Sequence, residues 1–100
     1  MGDEYQNLIL TEEFAASLRS ADPALSEDDI TGVLTALDDL DADPTNLRNR
    51  LHRLDRELRD WWSVTPPAPA GTALRVLVKP ERVGERGIWR VGPVTWHYAR

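Results

Sequence analysis

The sequence predicts an α+β domain in which three helices precede a small antiparallel sheet of three to four strands. Two patterns carry that expectation. Apolar residues recur at helical spacing up to about residue 62, and beyond a Pro-rich connector they alternate with period two. The chain's 100 residues, 41% apolar and 29% charged, suit a single domain with one core.

Residues 5–10 read as a short strand or an extended lead-in. Thr11 is a good N-cap, with Glu12 and Glu13 in the first turn where the helix dipole favours anions. Phe14, Ala15 and Leu18 then line a short helix to about Ser20, which Asp22-Pro23 ends. Ser26 opens a second helix, with Asp29 three residues on in the capping-box position. Ile30, Val33, Leu34, Leu37 and Leu40 follow at helical spacing, so the helix runs over about 27–40.

Its far end carries Asp38, Asp39, Asp41 and Asp43, the wrong sign for a helix C-terminus. Asp39-x-Asp41-x-Asp43 opens like a calcium loop, but the sixth position is Pro44 and the twelfth Arg50, where glycine and glutamate are needed. Asp43 is better read as the cap of a third helix with Pro44 at its first position. That helix is expected over 44–62. Leu47, Leu51, Leu54, Leu58 and Trp61 form a heptad seam, with Arg48, Arg50, Arg53, Arg56 and Arg59 around the remaining circumference. The Leu47–Leu58 face could join two copies in a homodimer.

Residues 63–72 read as the connector. Leu74, Val76 and Val78 then alternate with Arg75, Leu77 and Lys79 in a strand ended by Pro80; 81–87 reads as a loop. The stretches 88–91 and 94–98 flank Gly92-Pro93, which reads as a hairpin turn.

Charge divides the chain more sharply than its net −5 suggests. Residues 1–43 hold twelve acids and one base, Arg19, a net −11; residues 44–100 hold eleven bases and five acids, a net +6. Such a split implies two faces with different partners, or halves that neutralise each other. The acidic segment 12–43 could equally mimic nucleic acid or sit on the chain's own basic face. The absence of cysteine excludes disulfides, thiolate zinc sites and a cysteine nucleophile. No metal or cofactor motif is present, so none is expected. No apolar run could span a bilayer and no leader pattern opens the chain, so the expectation is a cytoplasmic protein without membrane contact. Eleven arginines against one lysine suggest a GC-rich bacterial genome.

In the basic part, Arg82, Arg86, Arg90 and Arg100 interleave with Trp89, Trp96, His97 and Tyr98. Arginine planes and aromatic faces stack on unpaired bases, and they also anchor protein interfaces. Metal-free RNA cleavage needs a base, an acid and cations, roles that His97, Tyr98, Glu81, Lys79 and the arginines could fill. Trp89, Trp96 and Tyr98 could instead simply close a small core, and His52 reads as a solvated surface side chain.

Leu8-Ile9-Leu10 followed by Thr11-Glu12-Glu13-Phe14-Ala15, a Leu-rich helix between Asp22-Pro23 and Asp43-Pro44, and Gly87-Ile88-Trp89-Arg90-Val91-Gly92 together resemble the RelE/ParE toxin superfamily. His97-Tyr98 is similar to the His-Tyr end of one branch of it. The resemblance covers about 1–44 and 87–98. It implies an α+β fold with an antiparallel sheet, action on ribosome-bound mRNA or on gyrase, and an acid/base role for His97 and Tyr98; under that alternative the residues read above add Arg90 and Lys79 as catalytic cations. Such toxins are basic overall, whereas this chain is acidic, and 45–72 has no counterpart. The first expectation is therefore an interaction module that binds a protein partner as adaptor, inhibitor or subunit. Its binding residues would be Arg48, Arg56, Arg59, Trp61, Trp62, Arg82, Arg86, Trp89 and Trp96. The toxin-like activity, with RNA or the ribosome as target, is the alternative.

Overall fold

A computed structural model describes residues 5–67 and 74–96. In chain order they form β1 (Leu8–Leu10), α1 (Glu12–Ser20), α2 (Glu27–Ala42), a 3-10 segment (Pro44–Arg50), β2 (Leu51–Arg53), a 3-10 turn (Arg56–Leu58), β3 (Trp62–Val64), β4 (Leu74–Val83) and β5 (Arg86–Trp96). The strands make one sheet in the order β1-β5-β4-β3-β2. β1 runs parallel to β5 and every other pairing is antiparallel. The α+β class stands, but the architecture has two α-helices and a five-stranded mixed sheet, in place of three helices and an antiparallel sheet of three to four strands.

Both α-helices start where their caps dictate. The Thr11 hydroxyl accepts the Phe14 N–H at 3.1 Å and donates to the Val91 carbonyl at 2.7 Å, so the cap also ties α1 to β5. Ser26 and Asp29 form a reciprocal capping box at 3.0 and 3.2 Å. The acidic C-terminal end of α2 is used piecewise. Asp39 pairs with Arg50 at 3.7 Å. The Asp41 carboxylate accepts the Asn7 backbone N–H at 2.6 Å, and Asp43 accepts the Thr45 N–H at 3.0 Å.

The expected third helix is absent. Asp43 and Pro44 do begin a turn as a helix start would, but it is a 3-10 segment broken at Arg48 (φ 52, ψ −126). The chain then extends into β2. The pairing satisfies the outward backbone groups of β3 and leaves as the sheet edge β2, a three-residue strand bearing exposed His52 and Arg53. As built, β2 pairs with all three residues of β3, and flanking hydrogen bonds run from Thr65 N to Arg50 O (2.9 Å) and from Leu54 N to Trp61 O (3.0 Å). Of the i,i+4 pairs a helix here would make, Asp55–Arg59 is well oriented, but Arg53–Glu57 and Arg56–Asp60 run base before acid and add less support. With the helix goes the Leu47–Leu58 face expected to join two copies: Leu47 is fully buried, Leu51 and Leu54 are half-buried, and Leu58 is exposed. The expected connector likewise contains Ser63 and Val64 of β3.

The β4–β5 hairpin also differs from expectation. β4 continues through Pro80 to Val83, and the chain reverses at Gly84-Glu85, where Gly84 takes φ 64. Pro80 is tolerated because its partner, Trp89, donates its N–H to Asn7 O on the β1 side at 2.8 Å. The Pro80–Trp89 pair is therefore non-hydrogen-bonded, and the missing proline N–H faces the edge that β3 leaves free. Gly92-Pro93 is no turn. Val78 pairs with Val91 and Val76 with Val94, so Gly92 and Pro93 together oppose Leu77 in a β-bulge within β5.

One sheet face, carrying Leu8, Val64, Leu74, Val76, Val78, Val91 and Val94, packs against Phe14 of α1 and against Val33, Ala36, Leu37 and Leu40 of α2. Leu47 closes the same cluster. The opposite face carries Arg75, Leu77, Lys79 and Glu81 of β4 beside Arg90 and Thr95 of β5. No helix is long and apolar enough to cross a membrane among the described residues.

Candidate interaction surface

The helix-free face is organised by register. Lys79 and Arg90 are cross-strand partners, and Glu81 lies two residues along β4 from Lys79. Arg90 donates to Glu81 from Nε at 2.9 Å and from Nη2 at 2.7 Å, a bidentate fork with both side chains partly exposed. These hydrogen bonds hold the Glu81 carboxyl below its ordinary pKa, burial opposing, and raise that of Arg90. The pair is internally neutral, which leaves Lys79 and Arg75 as the outstanding cations on this part of the face. Arg75 Nε reaches Thr95 Oγ1 at 3.4 Å.

Trp61 completes the face from outside the regular strands. Its six-membered ring lies against Gly92, and the Lys79 ammonium stands 5.8 Å from its ring centroid, in cation–π range. Trp62, the next residue, turns to the helix side, where it meets Trp89 edge-to-face at 6.0 Å. Trp96 also packs against the core and donates its indole N–H to Pro23 O at 2.7 Å. Of the four tryptophans, three therefore pack against the core and Trp61 serves the open face.

The remaining expected site residues are scattered. Arg86 donates to Gln6 O, and to Asn7 Oδ1 at 3.2 Å, which fastens the hairpin to the lead-in of β1. Arg82 is exposed and pairs with Gly87, one residue out of phase with Glu81, so it points away from Arg90. Arg48 and Arg56 are exposed turn residues with φ of 52 and 59. His97 and Tyr98 lie outside the described residues, so the expected acid/base pair has no geometry here. Arg90 and Lys79 come together, while Arg82 does not join them.

At the step where β3 stops, Arg53, Arg59, Asp60, Trp62, Lys79 and Pro80 surround a hollow of about 350 Å³. Arg53 Nε donates to Arg59 O at 3.1 Å, which fixes its guanidinium across the β2–β3 turn. Arg53, Arg75 and Leu77 were not among the expected site residues. The alternation of β4 already places Arg75 and Leu77 beside Lys79, but Arg53 meets them only once 51–53 is a strand. No family model, curated protein or solved structure gave a match to this chain.

Proposed function

We propose that the protein is a small interaction module that binds a protein partner through its helix-free sheet face. The observation that carries this reading is Trp61, held across Gly92 with Lys79 against its ring and Leu77 and Arg75 along the neighbouring strand. An aromatic anchor flanked by cations and a half-buried leucine is the composition of an interface centre. The dispersal of Arg82 from Arg90 speaks against one converging cleft. The test is affinity capture from source-cell extract with the wild-type chain and with Leu77→Asp. The expected result is one protein retained in stoichiometric amount by the wild type and lost by the variant, with helix content unchanged. Recovery of RNA without a stoichiometric protein would overturn the reading.

A second reading, an RNA-directed toxin of the RelE/ParE kind, is favoured by the cross-strand placement of Lys79 and Arg90 on the same open face. It expects growth arrest and cleavage of ribosome-bound mRNA on expression in bacteria, both relieved by Lys79→Ala, His97→Ala or Tyr98→Phe. A harmless wild-type chain that leaves such mRNA intact removes it.

A further inference from the structure

We infer that the hollow between Arg53, Arg59 and Lys79 is a carboxylate subsite that receives a Glu or Asp side chain from an acidic segment of the partner. The inference rests on the docking-face reading and deepens it by naming the partner's chemistry. Three cations surround the hollow against one acid, Asp60, so its local charge is positive in a chain of net −5.

The arrangement is set before any ligand arrives. Arg53 uses Nε on the Arg59 carbonyl, which leaves its two terminal nitrogens for a bidentate acceptor. Holding the guanidinium in place lowers the ordering cost of binding. Arg59 and Lys79 form no salt bridge among the described residues. Trp62 and Pro80 provide an apolar wall for the methylenes that carry the carboxylate. The hollow stands open because β3 ends at the Trp62–Val78 pair while β4 continues to Val83. Lys79 also contacts the Trp61 ring, so the subsite adjoins the docking face.

Two observations favour a peptide over a nucleic acid. At about 350 Å³ the hollow suits one or two side chains. The wall of Trp62 and Pro80 also favours a charge carried on an aliphatic stem, as in Glu or Asp, over a phosphodiester.

The test is a titration of the full chain at low ionic strength with capped hexaglutamate, followed by ¹⁵N–¹H spectra. The expected result is a saturable shift of the Trp62 indole N–H and the Arg53 Nε–H, weakened roughly tenfold in Arg59→Gln by loss of a charge-assisted contact. Arg59 is exposed, and its backbone carbonyl keeps the Arg53 anchor, so this variant should retain the wild-type amide spectrum. Absence of saturable shifts, equal affinity in Arg59→Gln, or tighter binding of hexauridylate at the same signals would each overturn the subsite. Capture of the partner by the wild type without any hexaglutamate response removes the subsite and leaves the docking face. Saturable hexaglutamate binding that Arg59→Gln weakens, without capture of any partner, supports the subsite and removes the docking-face reading.

Discussion

The ring of Trp61 occupies the space that any side chain at Gly92 would need. A Cβ on Gly92 would stand 2.8 Å from Trp61 Cζ3, 3.1 Å from Cη2 and 3.3 Å from the Leu77 carbonyl oxygen. Gly92 is thus required by the approach of the ring at the β-bulge. Two opposing effects decide the outcome of Gly92→Ala. Replacing a strand glycine gains about 0.5–1 kcal/mol through the unfolded chain. Overpacking against the indole costs about 1–3 kcal/mol. The expected net effect is a loss of about 1 kcal/mol in urea unfolding. In a Trp61→Ala background the clash with the ring is gone and only the tight approach to the Leu77 carbonyl remains, so Gly92→Ala should cost clearly less or be neutral. An equal loss in both backgrounds would show that the ring is not the obstacle.

The Glu81–Arg90 fork gives stability a defined pH dependence. Because the folded pKa of Glu81 is lowered, its contribution is fully present above the unfolded carboxylate value and is lost as pH falls through the folded value. Glu81→Gln should therefore destabilise the protein near about pH 7, and its difference from wild type should shrink towards about pH 3. Solvent screens both partly exposed side chains, so the effect is modest. Urea midpoints at the two pH values measure it. A difference that grows on acidification would contradict the assignment.

Local chemistry was legible in the sequence, and non-local pairing was not. Thr11, Ser26 and Asp29 cap α1 and α2 as their residue types require, and the alternation of β4 buries Leu74, Val76 and Val78 as read. The segment 47–61 misled because leucines spaced by four and three satisfy a helical seam, whereas the three-residue strands β2 and β3 are too short to show a period of two. The need to cover the β3 edge is a tertiary demand that local propensity does not carry. The same limit applies to the surface. Positive charge after residue 44 was visible, but assigning Trp61 to the open face and Trp62 to the core required the strand register. Gly84-Glu85 carries a two-residue hairpin signature, whereas Gly92-Pro93, with equally turn-like residues, forms a bulge because both its flanks pair with the same strand.

Arg48 should be improvable. With φ 52 and ψ −126 it holds a conformation that favours glycine, at a cost of about 1–3 kcal/mol for a residue with a Cβ. Arg48→Gly removes that strain and adds about 0.5–1 kcal/mol of backbone entropy cost. The expected result is a gain of about 0.5–1 kcal/mol, read as a higher urea midpoint at unchanged slope. Arg48→Ala should give no such gain, because alanine keeps the Cβ. Equal midpoints for the glycine and alanine variants would refute the strain.

The acids at the end of α2 should separate by role. Each negative charge there opposes the helix dipole, so removing exposed Asp38, whose side chain makes no hydrogen bond among the described residues, should stabilise by a few tenths of a kcal/mol, on the order of 0.3. Asp41 carries the same dipole penalty but accepts the Asn7 backbone N–H, while its own carbonyl accepts Asn7 Nδ2 at 2.8 Å. The carboxylate bond anchors the lead-in of β1, the strand that pairs in parallel with β5 at the sheet edge. A partly buried hydrogen bond to a charged group is worth about 1.5–3 kcal/mol, well above the dipole term. Asp41→Ala should therefore destabilise by about 1–2 kcal/mol. Asp41→Asn keeps an acceptor oxygen without the charge, so it should lose less than half as much. Hydrogen exchange should locate the damage, with amides of β1 opening faster in Asp41→Ala and unchanged in Asp38→Ala. If Asp41→Ala instead stabilises as Asp38→Ala does, the dipole outweighs the anchor and Asn7 does not hold β1 in place.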